Sequence, residues 1–163
     1  MVLMEGKHGV GKVLERLDSA CPSGFAIALH IKFSSPRYLF QAYPAEWIAY
    51  YTANGLVMRD PTVHWGFENT GHIRWSALEI ADRSVMLKAA EHGLKFGFTV
   101  AIDALGSRTV ASFARSDREF IDSEMVDTSE LLAWLHAETL FLEDLSPEDD
   151  FALRRLSILL TRG

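Results

Sequence analysis

Apolar and polar positions along this chain switch between a helical period and a strand period. Val13, Leu14 and Leu17 share one side of a helix expected from about Gly11 to Ala20, which "CPSG" ends. "FAIALHIKF", Phe25 to Phe33, is bounded by Gly24 and "SSP" and reads as a strand, and "RYLFQAY" reads as a second. Pro44 suits the first turn of a helix running to about Asn54, where "NG" stops it. "DPTVHWGFEN" predicts a short helix opened by Asp60, with Pro61 at its first position. A long helix is expected from about Ala77 to His92, ending at Gly93. "GFTVAIDA" and "TVASFAR" read as two strands around the turn "LGS". Two further helices are expected, about Thr128 to Asp144 and Pro147 to Leu160. Strands in the middle, with helices before, between and after, predict an α+β fold: an α/β/α sandwich with an antiparallel sheet covered by helices.

Composition narrows the function classes. The chain has 163 residues, 48% of them hydrophobic, enough for one domain with a real core. No apolar run is long enough to span a bilayer, and "MVLMEGKHGVGK" has no apolar signal-peptide region. Cys21 is the only cysteine, which excludes an internal disulfide and points to a reducing, cytoplasmic setting. The net charge of -6 disfavours wrapping DNA or coating an anionic membrane, since both need clustered Lys and Arg.

Several chemistries are weighed and set aside. "GKHGVGKV", Gly6 to Val13, nearly matches a phosphate-binding loop, but Val13 stands where a magnesium-holding hydroxyl belongs and no buried strand precedes it. A mobile glycine-rich lead into the first helix is the simpler expectation. The six histidines show no metal-ligand spacing with one another or with carboxylates, and no G-x-S-x-G elbow exists. Cys21 reads as a small buried hydrophobe. Neither an enzyme nor a cofactor is expected.

What remains is "YPAEWIAYYTANGLVMRDP". Residues four apart share a helix face, so Tyr43, Trp47 and Tyr51 form one stripe of large apolar bodies with polar tips. Asp60 adds a carboxylate after the turn, and Trp75 a second flat wall. This set suits a small neutral molecule with amide and carbonyl groups: Asp60 accepts from an N–H, while Trp47 and Tyr43 donate to carbonyls. An aromatic core whose tips bond to backbone fits the same residues equally well.

The order Tyr43-Pro44-x-x-Trp47-x-x-x-Tyr51, then Asp60-Pro61, then Trp75, resembles the autoinducer-binding domain of LuxR-type quorum-sensing regulators. "GLKFGFTVAI" with Gly97, "ASFAR" and "LLAWLHAETL" extend the resemblance from about Val13 to Leu145. It implies a five-stranded antiparallel sheet between helical layers that hold an N-acyl homoserine lactone. It further implies that Trp47 donates to the lactone carbonyl, Tyr43 donates to the acyl amide carbonyl and Asp60 accepts the amide N–H. Tyr51 and Trp75 would pack around the head, and Ser112 would sense a 3-oxo group. Ile48, Thr52, Thr62 and Val63 are expected to face the acyl chain. An empty pocket is expected to leave Asp60 without partners, which would couple folding to ligand.

By this resemblance residues 1–145 form the autoinducer-binding domain, and residues 146–163 a C-terminal helix resembling the start of a helix-turn-helix domain. No recognition helix follows in the sequence, so direct nucleic-acid binding is not expected. Apolar stripes at Leu131, Trp134, Leu135 and Leu142, and at Phe151, Leu156, Leu159 and Leu160, suit core or interface. The expected function is signal binding that acts through a homodimer, through a heterodimer with a full-length LuxR-type regulator, or by sequestering ligand. The alternative is a ligand-independent anti-activator that works only by heterodimerisation.

Overall fold

A computed structural model describes residues 6–33 and 35–140. Helix α1 (Gly6–Ala20) leads into the strands β1 (Gly24–Lys32) and β2 (Ser35–Gln41). Next come α2 (Ala45–Ala53), a short 3-10 turn (Leu56–Arg59), α3 (Pro61–Glu68) and β3 (Gly71–Arg74). A second 3-10 turn (Trp75–Ala77) precedes α4 (Ser84–Glu91), the hairpin β4 (Phe96–Ala104) and β5 (Ser107–Arg115), and α5 (Asp122–Leu140). The five strands form one antiparallel sheet in the order β2-β1-β5-β4-β3. Helices cover both faces, so the α+β sandwich with five strands is the observed fold.

The two faces differ in character. Val10, Val13, Leu14 and Leu17 of α1, with Met125, Leu132 and Leu135 of α5, pack on Phe25, Ile27, Phe98 and Phe113. This face is a dry hydrocarbon core. The other face carries Tyr43, Trp47, Leu56, Trp75, Val85 and Leu94, whose polar tips sit among aliphatic neighbours.

Three expectations need correction. The glycine-rich lead is helical: α1 begins at Gly6, because Val10 extends the apolar stripe and is fully buried. The long helix from Ala77 is only α4. Arg83 reaches back to the carbonyls of Trp75 and Leu78, at 3.4 and 2.9 Å, and holds that stretch out of helical form. Asp82 then accepts the Ser84 N–H at 2.9 Å, a turn that opens α4. Helix α5 starts at Asp122 rather than Thr128, since Glu124 accepts the Ile121 N–H at 2.9 Å. The final helix, Pro147 to Leu160, lies outside the described residues.

A buried polar knot joins the dry core. His30 sits at a bulge in β1 with φ +57°, and its ring reaches Ser107 Oγ at 2.7 Å and Thr139 Oγ1 at 2.8 Å. His136 lies against it with ring centroids 4.9 Å apart, bonded to Thr109 Oγ1 at 2.7 Å and to the Ala104 carbonyl at 2.8 Å. Sequence spacing had left the histidines unrelated. The fold brings these two together as satisfied core groups. Among the described residues no His, Cys, Asp or Glu cluster suits a metal, and no helix is long and apolar enough to cross a membrane.

An ion cluster fastens the end of β5 to α5. Hydrogen bonds from Arg118 hold Glu124 at a pKa of about 2, and those from Arg115 hold Asp117 at about 2. Both pKa values are depressed by folding. The stabilisation is therefore complete above the ordinary carboxylate range near 4 and is lost as pH falls toward 2. Glu124→Gln should remove part of that acid slope. Between about pH 5 and pH 2 the variant's melting temperature should fall less steeply than the parent's, as read by circular dichroism.

Candidate functional site

The second face encloses a cavity of about 240 Å³ between the sheet and α2, α3 and α4. It is built on a few local decisions of the sequence. Asp60 caps α3, accepting the Thr62 N–H at 2.9 Å and the Thr62 hydroxyl at 2.7 Å on Oδ1. Pro61 fixes the first helical position. On Oδ2 the same carboxylate accepts the Tyr51 hydroxyl at 2.7 Å. Asp60 thus ties α2 to α3 across the intervening turn.

This overturns one expectation: Asp60 is not left without partners when no ligand is present. Three of a carboxylate's roughly four acceptor positions are used, and one is left. Burial, reinforced by the charge of Asp60, pushes the phenols of Tyr43 and Tyr51 well above their usual pKa, so both stay protonated donors.

Trp75 lies flat on β4. A Cβ at Gly97 would sit 2.5 Å from its ring, so only glycine admits the indole there. Its Nε1 donates to Thr99 Oγ1 at 3.0 Å, and the Thr99 and Ser112 hydroxyls are 2.7 Å apart. With the Trp75 donor spent on Thr99, Thr99 can give its proton to Ser112, which leaves the Ser112 proton for the cavity. Tyr43 donates to the Ser112 carbonyl at 3.2 Å. Trp47 differs from both. It is 4% exposed, packs edge-on to Tyr51 at 5.7 Å and against His92 at 5.3 Å, and lines the cavity. Among the described residues its indole N–H meets no acceptor.

The structure brings nine of the expected site residues to one cavity wall: Tyr43, Trp47, Ile48, Tyr51, Asp60, Thr62, Val63, Trp75 and Ser112. Thr52 is the exception. One residue past Tyr51 on α2, it is rotated about 100° off the stripe and faces solvent. Thr62 lines the cavity without offering it a free hydroxyl, because Asp60 takes that proton. Thr99 was missed. A lone hydroxyl among the apolar residues of "GFTVA" was the only hint in the sequence; its burial and its partner Ser112 come from the strand register. Cys21 lies in the opposite core, where burial pushes its thiol up to about 12, so it is no nucleophile.

The comparisons with known proteins agree with this architecture. Residues 25–140 match the model of the autoinducer binding domain. The chain belongs to that family, the signal-receptor domain of LuxR-type quorum-sensing regulators, which is not an enzyme family. It is 29% identical over 120 residues to the transcriptional activator AhyR of Aeromonas hydrophila, and equally to AsaR of Aeromonas salmonicida. That match takes in 68% of this chain but 46% of either relative, so the chain spans less than half the length of those activators. Among solved structures, the N-acylhomoserine lactone dependent LuxR family factor CepR2 of Burkholderia cenocepacia superposes with a TM-score of 0.61 at 14% identity. It covers 95% of this chain and 88% of that one. SdiA in complex with octanoyl-rac-glycerol gives 0.59 at 19% identity, covering 93% and 75%. These two likenesses show the fold.

Gly97→Ala tests the wall. The added methyl must displace the Trp75 ring, and overpacking of this kind costs about 1–3 kcal/mol. Urea unfolding should show a lowered midpoint with an unchanged slope.

Proposed function

We propose that this domain is a receptor for an N-acyl homoserine lactone or a closely similar amide-bearing signal. The observation that carries the reading is the indole N–H of Trp47: a donor in an almost fully buried residue, facing an apolar cavity without a protein acceptor. A donor in so enclosed a residue, with the cavity beside it, awaits an acceptor from outside the chain. A lactone carbonyl would satisfy this one. The remaining acceptor position on Asp60 takes the amide N–H. Tyr43 turns its long bond away from the Ser112 carbonyl toward the acyl carbonyl, while Tyr51 and Trp75 pack around the head. With Thr99 as donor in its bond to Ser112, the Ser112 hydroxyl would meet a 3-substituent. Ile48, Val63 and the methyl of Thr62 line the apolar part. A cavity of this size supports ligand binding over the anti-activator reading, which calls for a pocket filled by its own side chains.

Output through protein contact belongs to the same proposal. The curated relatives are transcriptional activators. Pairing with a second copy, or with a full-length LuxR-type regulator, would pass the signal on. Exposed Ile121 and Val126, at the start of α5, supply apolar surface for such a contact.

A thermal-shift titration with N-acyl homoserine lactones tests the binding claim. Dose-dependent stabilisation is expected. Trp47→Phe keeps the ring and deletes the donor, so it should weaken binding about three- to tenfold. Asp60→Ala should lower the melting temperature of the free domain as well. No shift with any lactone, from a folded chain, would remove the receptor reading. Sedimentation of the same samples tests pairing: a mass that stays monomeric with and without lactone counts against homodimer output.

A further inference from the structure

The two ends of the cavity are unlike. The end described above is buried and carries the polar tips. The other end reaches Ile31, Pro36, Leu39 and Phe67, all apolar, and two of these are both cavity wall and surface: Leu39 is 40% exposed and Phe67 41%. The cavity therefore opens through an apolar lip.

The path between the ends follows the sheet. Ser112 pairs with Ala26, which pairs with Gln41. Two residues along, Val110 pairs with Ala28, which pairs with Leu39. Beyond the bulge Ile31 pairs with Pro36. Every one of these residues lines the cavity. Ala26 and Ala28 are the smallest side chains that a strand can place there, so a furrow runs along β1 between taller neighbours on β2 and β5. From Gln41 to Pro36 it extends five residues, about 17 Å of strand.

The far end is also held in place. A Cβ at Gly66 would sit 2.4 Å from Val110, so α3 lies hard against the sheet there. Arg108 donates to the Gly66 carbonyl at 2.7 Å and to the Asn69 carbonyl at 2.8 Å. Phe67 sits between those two clamped carbonyls, so the α3 side of the lip is pinned to the sheet and cannot swing shut over a short ligand.

Building on the receptor reading, we infer that the signal for this domain carries a long unbranched tail, which lies over Ala26 and Ala28 and covers the lip of Leu39 and Phe67. Carbon–carbon bonds of about 1.5 Å, taken in zigzag, advance a little over 1 Å each, so the furrow corresponds to on the order of a dozen carbons. Tails of four to six carbons end over the alanines and leave the lip wet.

The test is the dissociation constant of the full chain for saturated N-acyl homoserine lactones of four to fourteen carbons, with 1-dodecanoyl-rac-glycerol as a probe that shares the tail and lacks the lactone. Affinity should keep rising past eight carbons, by up to roughly fourfold per methylene (about 0.8 kcal/mol), and level off near twelve. Leu39→Ser and Phe67→Ser change exposed positions, so the fold should survive them. Each should weaken the twelve-carbon ligand several-fold and leave the six-carbon ligand unchanged. Ala28→Leu fills the furrow and should abolish the gain beyond six carbons. An optimum at four to six carbons, or lip variants that act equally at every length, would overturn the inference while leaving the receptor reading intact. If no lactone binds but the glycerol ester does, with sensitivity to Ala28→Leu, the furrow stands and the lactone reading falls. If neither binds, both fall.

Discussion

The carboxylate of Asp60 is the joint on which the ligand-facing half of the molecule depends. A half-buried charge must be answered by donors. Here the answers come from Tyr51 on α2 and from the backbone and side chain of Thr62 on α3. Satisfying one charge therefore fixes the angle between two helices. It also aims the Tyr43–Trp47–Tyr51 stripe at the sheet and leaves one acceptor position turned inward. In the proposed receptor, structure and recognition would use the same group.

The sheet separates two kinds of core. On the α1–α5 side, phenylalanines and aliphatic residues fill the space, and the polar groups there, His30, Thr109, His136 and Thr139, close on one another. On the α2–α4 side the aromatics keep their polar tips apart from hydrocarbon, and the space between them stays open. Gly97 and Gly66 set that spacing. The first lets an indole lie flat on β4, and the second lets α3 approach β5, both at distances that a methyl group would forbid. The close approaches define the cavity walls, and the small residues of β1 define its floor. A rigid frame around a preformed hollow suits a domain whose work is to report occupancy.

Much of this was legible in the chain. The Tyr–Trp–Tyr stripe, Asp60-Pro61 as a helix start and the β4–β5 hairpin follow from periods and caps, and the order of anchors resembled one family. The errors have physical causes. Strand β3 is four residues, "GHIR", half of them exposed, too short to show alternation; its place is set by pairing with β4. The stretch from Ala77 has helical periodicity, but the Arg83 guanidinium holds two of its carbonyls in a loop, a contact no local pattern encodes. Thr52 was placed by proximity in sequence, where the 3.6-residue turn puts it outside. The His30–His136 pair and Thr99 needed the register of distant strands.

Trp47 keeps its donor open toward the cavity, while Trp75 has already spent its own on Thr99. Indole N–H resonances of the isotope-labelled chain report this directly, with Trp134, packed against the opposite core, as internal reference. On titration with N-dodecanoyl homoserine lactone, the Trp47 N–H signal should move strongly downfield as it gains a carbonyl. The Trp75 signal, bonded to Thr99 throughout, should move little, and Trp134 not at all. A Trp47 signal unmoved at saturating lactone would contradict the account.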